Sequence, residues 1–432
     1  MTGAERPAGR PTLADRDAPG LARSTPWRPT LAALLAVVAI ACGGSDDGGA
    51  TSGSTTEATG TTAAEDDDGT SGGIEVLDAD DPDFYSVPVP LPQGEHGDLI
   101  RTQPVDGAPE GATWQRIMYL SETLAGEPTV VTGVISLPDG EPPEGGWPLF
   151  SHAHGSTGLA DPCAPSVSLD GDGIHSIEIA LLGGYVADRG IAIVSTDYEG
   201  LGGPGRHPFL VGESEGRSVL DAILAARQLP DVAFEERVGI IGYSQGGHAS
   251  AWANQIAPEY TPELDVIGTL AGAPATEVVD MVGSDEGAGL MMVAALSATG
   301  GPYDPPSILT DAGLRALDEI DTVCQEGYRV EGPYLTGDVL TTEPWASGIA
   351  AQVPGSAPGA SPVLIVHSQE DVQVPIEFSE AFQDRLCAAG GVVERRVLDE
   401  GDHVVAAVPA YEQGMDWITD LANGGEPDST CP

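Results

Sequence analysis

An α/β fold, with a mostly parallel central sheet and helices on both faces, is predicted by three observations. Short apolar runs alternate along the chain with longer segments whose apolar residues recur at helical spacing. The short runs show little polar alternation, which is the texture of strands covered on both faces. The alternation persists from about residue 76 onward in a 432-residue chain that is 41% hydrophobic, enough to bury a substantial core.

The first part of the chain has a different texture. Arg6, Arg10, Arg16, Arg23 and Arg28 precede the apolar run "LAALLAVVAIA", residues 31–41. That run has the length of a signal-peptide core and is short for a membrane span. Cys42 follows at once, and then a tract of Gly, Ser, Thr, Asp, Glu and four alanines that lacks any larger apolar side chain. We expect a lipoprotein-type signal peptide over 1–41, lipid attachment at Cys42, a disordered tether over 42–75 and a globular catalytic domain over 76–432. The protein would then sit on the outer face of the cytoplasmic membrane. Ala39 stands where leucine is commoner in lipoprotein signals, so plain secretion is the alternative.

Within 76–432 the elements follow in order. "PTVVTGVISLP" and "WPLFSHAHG" read as strands, the first rich in β-branched residues, the second short and apolar. "SIEIALLGGYVADRG" has helical spacing and stops at a glycine, and "IAIVSTDYEG" is a buried-type strand. "EGRSVLDAILAARQL" is a helix, "RVGIIGYS" a strand and "GGHASAWANQIA" a helix. After the strand "DVIGTLAGAPA" the pattern loosens over 277–356, which we read as a mostly helical insertion containing "GLMMVAALSATGG" and "DAGLRALDEIDTVC". "SPVLIVHSQED" resumes the sheet, followed by the helix "FSEAFQDRLCAAGG", the strand "VVERRVLDEG" and a closing helix in "VVAAVPAYEQGMDWITDLANG".

Charge and cysteine content bound the partners. There are 67 acidic residues against 17 basic ones, all arginine, giving a formal net charge of -50. Such a chain will not bind nucleic acid or an anionic surface by charge attraction. The acids are spread along the chain, as on a strongly hydrated surface, so membrane contact is expected only through Cys42. Export would make the even set Cys163, Cys324, Cys387 and Cys431 a source of two disulfides. Of the three possible pairings, Cys163 with Cys324 and Cys387 with Cys431 is preferred. Their spacing fits no zinc site, and no metal or cofactor is expected.

The chemistry is carried by "GYSQG", where a serine stands between glycines after a strand and before a helix. Gly242, Gly246 and Gly247 remove Cβ atoms where the turn brings the chain close to itself. Ser244 would be exposed at the strand end, near the positive N-terminus of the helix. A serine nucleophile needs a histidine base oriented by an acid, and on such a sheet the partners follow in the order serine, acid, histidine. Only His248, His367 and His403 follow Ser244. His248 falls inside the helix and should point away, as a packing or capping residue. The loop after "PVLIVHS" offers Glu370 and Asp371, of which Asp371 is preferred, and only His403 follows them. His367 then shapes the acid loop. The backbone N–H of Gln245 and that of Ser156 in "HGST", or of Thr157, would donate to an oxyanion. "HAH" at 152–154 lacks suitably spaced further ligands for a metal. "GLGGPG" at 200–205 contains Pro204 and lacks the acid a dinucleotide site needs, and "LDGDG" around Asp170 and Asp172 has Ile174 at the next position a calcium loop would use.

"HGSTGLADPCAPS", "DYEGLGGPGRHPFLVGESEGRSVLDAILAAR" and "GYSQGGHAS" together resemble the secretory lipase branch of the α/β-hydrolases, from about residue 80 onward. The resemblance implies an α/β-hydrolase core, a helical lid, small-molecule or lipid ester substrates, no cofactor, and Ser244, Asp371 and His403 as the triad. It places the "DYEGLGG" loop at the border of the pocket. A peptidase or acyltransferase could use the same triad, and a surface lipoprotein that only binds an apolar ligand would need no complete triad.

Overall fold

The computed structural model describes residues 73–169, 176–325 and 329–432. The expected signal peptide, Cys42 and nearly all of the tether lie outside the described residues, as do Asp170 and Asp172. The described strands are β1 (Glu75–Val76), β2 (Leu99–Val105), β3 (Ala112–Glu122), β4 (Pro128–Pro138), β5 (Trp147–Ala153), β6 (Ala192–Thr196), β7 (Phe234–Tyr243), β8 (Asp265–Gly272), β9 (Val363–Ser368) and β10 (Val393–Leu398). They form one sheet in the order β1-β2-β3-β4-β6-β5-β7-β8-β9-β10. From β6 to β10 every pairing is parallel. The β2-β3, β3-β4 and β4-β6 pairings are antiparallel.

Alternate residues of the central strands enter different cores, as the period of two requires. Leu149, Val194, Val238 and Ile240 pack with Val219, Ile223, Ala249 and Ala253 of α2 (Gly212–Ala226) and α3 (Gln245–Tyr260). Phe150, Ile193, Ile241 and Leu270 pack on the other face with Leu182 and Val186 of α1 (Ile177–Arg189) and Met415 and Ile418 of α9 (Ala407–Ala422). The unbroken apolar runs are thus strands covered on both sides, and the expected fold class holds.

β2 and β3 have no counterpart in the hydropathy reading. Arg101, Gln103 and Arg116 interrupt them, and each finds hydrogen-bond partners inside the folded chain, although the buried Arg101 Nε has none. Arg101 donates to the carbonyls of Asp83, Phe84 and Ser86. Gln103 donates to those of Asp78 and Asp81, and Arg116 to that of Ser166 and to Gln103 Oε1. These strands look too polar by hydropathy because their polar groups find partners only in the folded chain.

Between β8 and β9 lie α4 (Val278–Ser284), α5 (Glu286–Ala298), α6 (Asp311–Ile320) and α7 (Trp345–Ala350). They build a core of their own from Val278, Leu290, Val293, Ile320, Trp345 and Ile349, which also takes in Leu159, Leu210 and Val211 from loops after β5 and β6. Asp285 caps α5 through the Ala288 N–H and Thr310 caps α6 through the Gly313 N–H. After β9, α8 (Ile376–Ala388) packs Phe382 and Leu386 on Val363 and Ile365. Disulfides join Cys163 to Cys324 and Cys387 to Cys431, the expected pairing, across 161 and 44 residues of sequence. Among the described residues no helix is long and apolar enough to cross a membrane.

The turn from β7 into α3 sets up the site. Ser244 has φ 61° and ψ -120°, a backbone state costly for a side-chain-bearing residue. A Cβ on Gly242 would lie 2.1 Å from Gly246 O, and one on Gly246 would lie 1.9 Å from Ala153 O. Both positions therefore require glycine, and the second presses the turn against the end of β5. Gly246→Ala is expected to cost about 3 kcal/mol or more, read as a lower urea midpoint. Cys163→Ser with Cys324→Ser is expected to cost about 2–5 kcal/mol by the same measurement.

Candidate active site

The turn, the loop after β9 and the loop after β10 bring three side chains into one hydrogen-bonded line. His403 Nε2 lies 2.8 Å from Ser244 Oγ, and His403 Nδ1 lies 2.6 Å from Asp371 Oδ2. The carboxylate can only accept, so Nδ1 carries the hydrogen and the Nε2 lone pair faces the serine hydroxyl. A proton can therefore move from Oγ to Nε2 without any change of tautomer.

Asp371 is held from several sides. Its Oδ1 accepts the N–H groups of Gln373 and Val374, each at 2.9 Å. His367 Nε2 lies 3.3 Å from Oδ2 and 2.9 Å from the carbonyl of Val374. Burial alone would raise this carboxyl, but the hydrogen bonds from His367, His403 and the Val374 N–H outweigh it and hold Asp371 well below the usual carboxylate range. Glu370, the other acid considered, instead accepts the Gly401 N–H at 3.0 Å and bridges the acid and histidine loops.

Gln245 is the first residue of α3 and is buried, whereas Ser156 is exposed and lines the cavity beside Ser244. The loop carrying Ser156 is fixed one residue earlier, where the Gly155 N–H donates to Glu178 Oε2 at 2.9 Å. Thr157 is buried and its carbonyl accepts the Gln325 N–H. His152 lies within hydrogen-bond distance of Ser195 Oγ and Tyr411 OH, and 3.4 Å from Glu178 Oε2. Burial pushes the His154 imidazole down to about 4, so it stays neutral beneath this loop. Among the described residues no group of three or more His, Cys, Asp or Glu is placed to hold a metal ion. The "GLGGPG" segment is an open loop, and α2 begins only at Gly212.

Sequence reasoning missed the polar layer behind the serine. His248 does point away from Ser244, but it meets a carboxylate, with Nδ1 2.8 Å from Glu215 Oε2. Gln245 was expected to contribute only its backbone, yet its side chain donates to Glu215 Oε1 at 2.8 Å and meets His207 Nε2 at 2.7 Å. Glu215 is fully buried in the first turn of α2, which starts earlier than the apolar pattern indicated. The available signal was its i, i+4 placement with the buried Val219, which sets an acid on the inner face of the helix. Asp197 of "DYEG" is likewise buried, accepting from Thr132 Oγ1, Ser166 Oγ and the Ser166 N–H. Burial pushes its carboxyl up to about 6.

A cavity of about 370 Å³ opens on Ser244, Ser156 and His403 and runs under the inserted helices. Phe209, Met281, Leu290, Met291, Ile320 and Val374 belong to its apolar wall. The size and the small set of convergent polar groups are those of a small-molecule site.

The family model of the secretory lipases matches residues 175–303. A probable inactive lipase of Mycobacterium tuberculosis is 26% identical over 377 residues, covering 81% of this chain and 83% of that protein. A secreted triacylglycerol lipase of Malassezia globosa is 26% identical over 394 residues, covering 82% and 84%. Among solved structures, Candida antarctica lipase A superposes with a TM-score of 0.70 at 22% identity, covering 81% of this chain and 87% of that one. A rice cell wall degrading esterase of Xanthomonas oryzae gives a TM-score of 0.60 at 17% identity, covering 76% and 97%. The chain has the α/β-hydrolase fold and, over the residues that the family model matches, is similar to the secretory lipases.

Proposed function

We propose that the protein is a serine-dependent carboxylic ester hydrolase of the lipase and esterase class. The observation that carries this reading is the continuous hydrogen-bonded line Asp371–His403–Ser244 opening on an apolar cavity. Ser244 is the nucleophile. Its proton passes to His403 Nε2 as Oγ attacks the ester carbonyl, and Asp371 stabilises the imidazolium. The N–H groups of Gln245 and Ser156 receive the oxyanion. His403 then returns the proton to the leaving alcohol. Water repeats the sequence on the acyl-enzyme and releases the acid.

The inserted helices act as a lid over the acyl site. The names of the fungal relatives, which include a secreted triacylglycerol lipase, support acylglycerols as one substrate class. The family match and these relatives also support export. Attachment through Cys42 would hold the enzyme outside the membrane, whereas cleavage without lipidation would release it. A peptidase or acyltransferase reading keeps the same triad and is separated by assaying peptides and acceptor alcohols beside acyl esters.

Ser244→Ala is expected to lower kcat on a p-nitrophenyl ester by about 10⁴-fold or more and to abolish labelling by a fluorophosphonate probe. Retained turnover would remove the mechanism, and an unlabelled wild type would point to a binding protein without chemistry. Asp371→Asn is expected to lower kcat by on the order of 10⁴-fold. Its amide can turn the imidazole so that Nε2–H, not a lone pair, faces the serine.

A further inference from the structure

Glu215 is a buried carboxylate that the reaction sequence above does not use. A carboxylate removed from water is costly unless its oxygens find donors. Oε1 accepts the Leu210 N–H at 2.9 Å and the Gln245 side-chain amide at 2.8 Å. Oε2 lies 2.8 Å from His248 Nδ1, and His248 Nε2 lies 2.8 Å from the carbonyl of Gln352. Both His248 nitrogens thus face oxygen acceptors, and the layer ties α2, α3 and the segment after α7 together.

The hydrogens around Gln245 follow by elimination. The Glu199 carbonyl, 2.9 Å from His207 Nδ1, can only accept, so Nδ1 carries a hydrogen. Burial lowers the pKa of the His207 imidazole and keeps it neutral, so its Nε2 offers a lone pair. That lone pair accepts from Gln245 Nε2 at 2.7 Å. Both amide hydrogens of Gln245 are therefore committed, one to His207 and one to Glu215. The flipped amide would set its oxygen against the carboxylate.

Gln245 is also the residue whose backbone N–H is proposed to receive the oxyanion, and the peptide carrying that N–H follows Ser244 at its disfavoured positive φ. Left to local preference, that peptide would turn away. An oxyanion donor must be held within about 0.5 Å of its productive place. We propose that Glu215 is a positioning residue for ester hydrolysis. It holds the Gln245 side chain directly. It also holds His248, whose backbone N–H donates to the Ser244 carbonyl at 3.1 Å, and so it fixes the Ser244–Gln245 peptide from both ends. This inference rests on the ester-hydrolase reading above.

The test uses Glu215→Gln, which keeps the size but sets an NH₂ group against donors, and Gln245→Ala, which keeps the backbone N–H but removes the held side chain. Active sites are titrated with a fluorophosphonate and turnover is followed on p-nitrophenyl butyrate. For each variant kcat per titrated site should fall by roughly 10–100-fold, with KM within about twofold. Affinity for a trifluoromethyl ketone, which adds reversibly to the serine as an oxyanion, should fall by the same factor as kcat. The double variant should lose no more than the worse single one, because both changes break one contact. A purely structural role would lower the unfolding midpoint and leave kcat and ketone affinity unchanged, and that result overturns the proposal. If Glu215→Gln does not fold, Gln245→Ala decides by the same readouts. A wild type that neither labels nor turns over removes the ester reading and this role with it. An active wild type with unaffected variants removes the positioning role alone.

Discussion

The approach of Gly246 to the last carbonyl of β5 is the constraint on which the rest of the site depends. A Cβ there would fall 1.9 Å from Ala153 O, so the β7–α3 turn can pack against β5 only through a glycine. That contact requires β5 and β7 to be neighbours, which the sheet order provides. It also brings the two loops that hold Ser156 and Gln245 to one place. Had a side chain intervened, Ser244 could still have lain at the end of its strand, but it would have stood apart from the loop after β5. The strained φ of Ser244 is maintained by the surrounding packing, which is how backbone strain persists at a working site.

Three buried carboxylates, Asp371, Glu215 and Asp197, are held in three different ways. Asp371 is bound by donors that favour its charged form, so it stays ionised beside His403. Glu215 spends its lone pairs on Leu210, Gln245 and His248. Asp197 is dominated by burial, which raises its proton affinity. Residue type alone does not distinguish them. The number and kind of hydrogens aimed at each carboxylate do. In a chain with 67 acidic residues, this selective placement of donors separates the buried acids from the hydrated surface.

The parts of the fold legible in the sequence were those where local pattern and tertiary environment agree. "VGII", "VLIVHS" and "IAIVST" are strands because both faces are covered, and an apolar run reports this directly. The contact among Ser244, Asp371 and His403 was accessible because chain order and loop position leave few candidates. β2 and β3 were illegible because Arg101, Gln103 and Arg116 are polar by type and meet their partners only after folding. The same reason hid Glu215, whose place among apolar helix positions looks like a boundary until the layer of His207, Gln245 and His248 is seen in space. Hydropathy registers burial of carbon. It does not register a polar group whose partners lie far along the chain.

The bond between Cys163 and Cys324 ties the segment that follows "HGST" to the segment that follows α6. Gln325, which lines the cavity, is therefore held close to the loop that carries Ser156. α5 is held to the loop after β6 as well, where Arg206 donates to Ala294 O and Ser297 Oγ and pairs with Asp321 beyond α6. The disulfide and the ion pair thus staple the inserted helices to the loops after β5 and after β6 at two separate places, beyond the covalent joins at either end of the insertion.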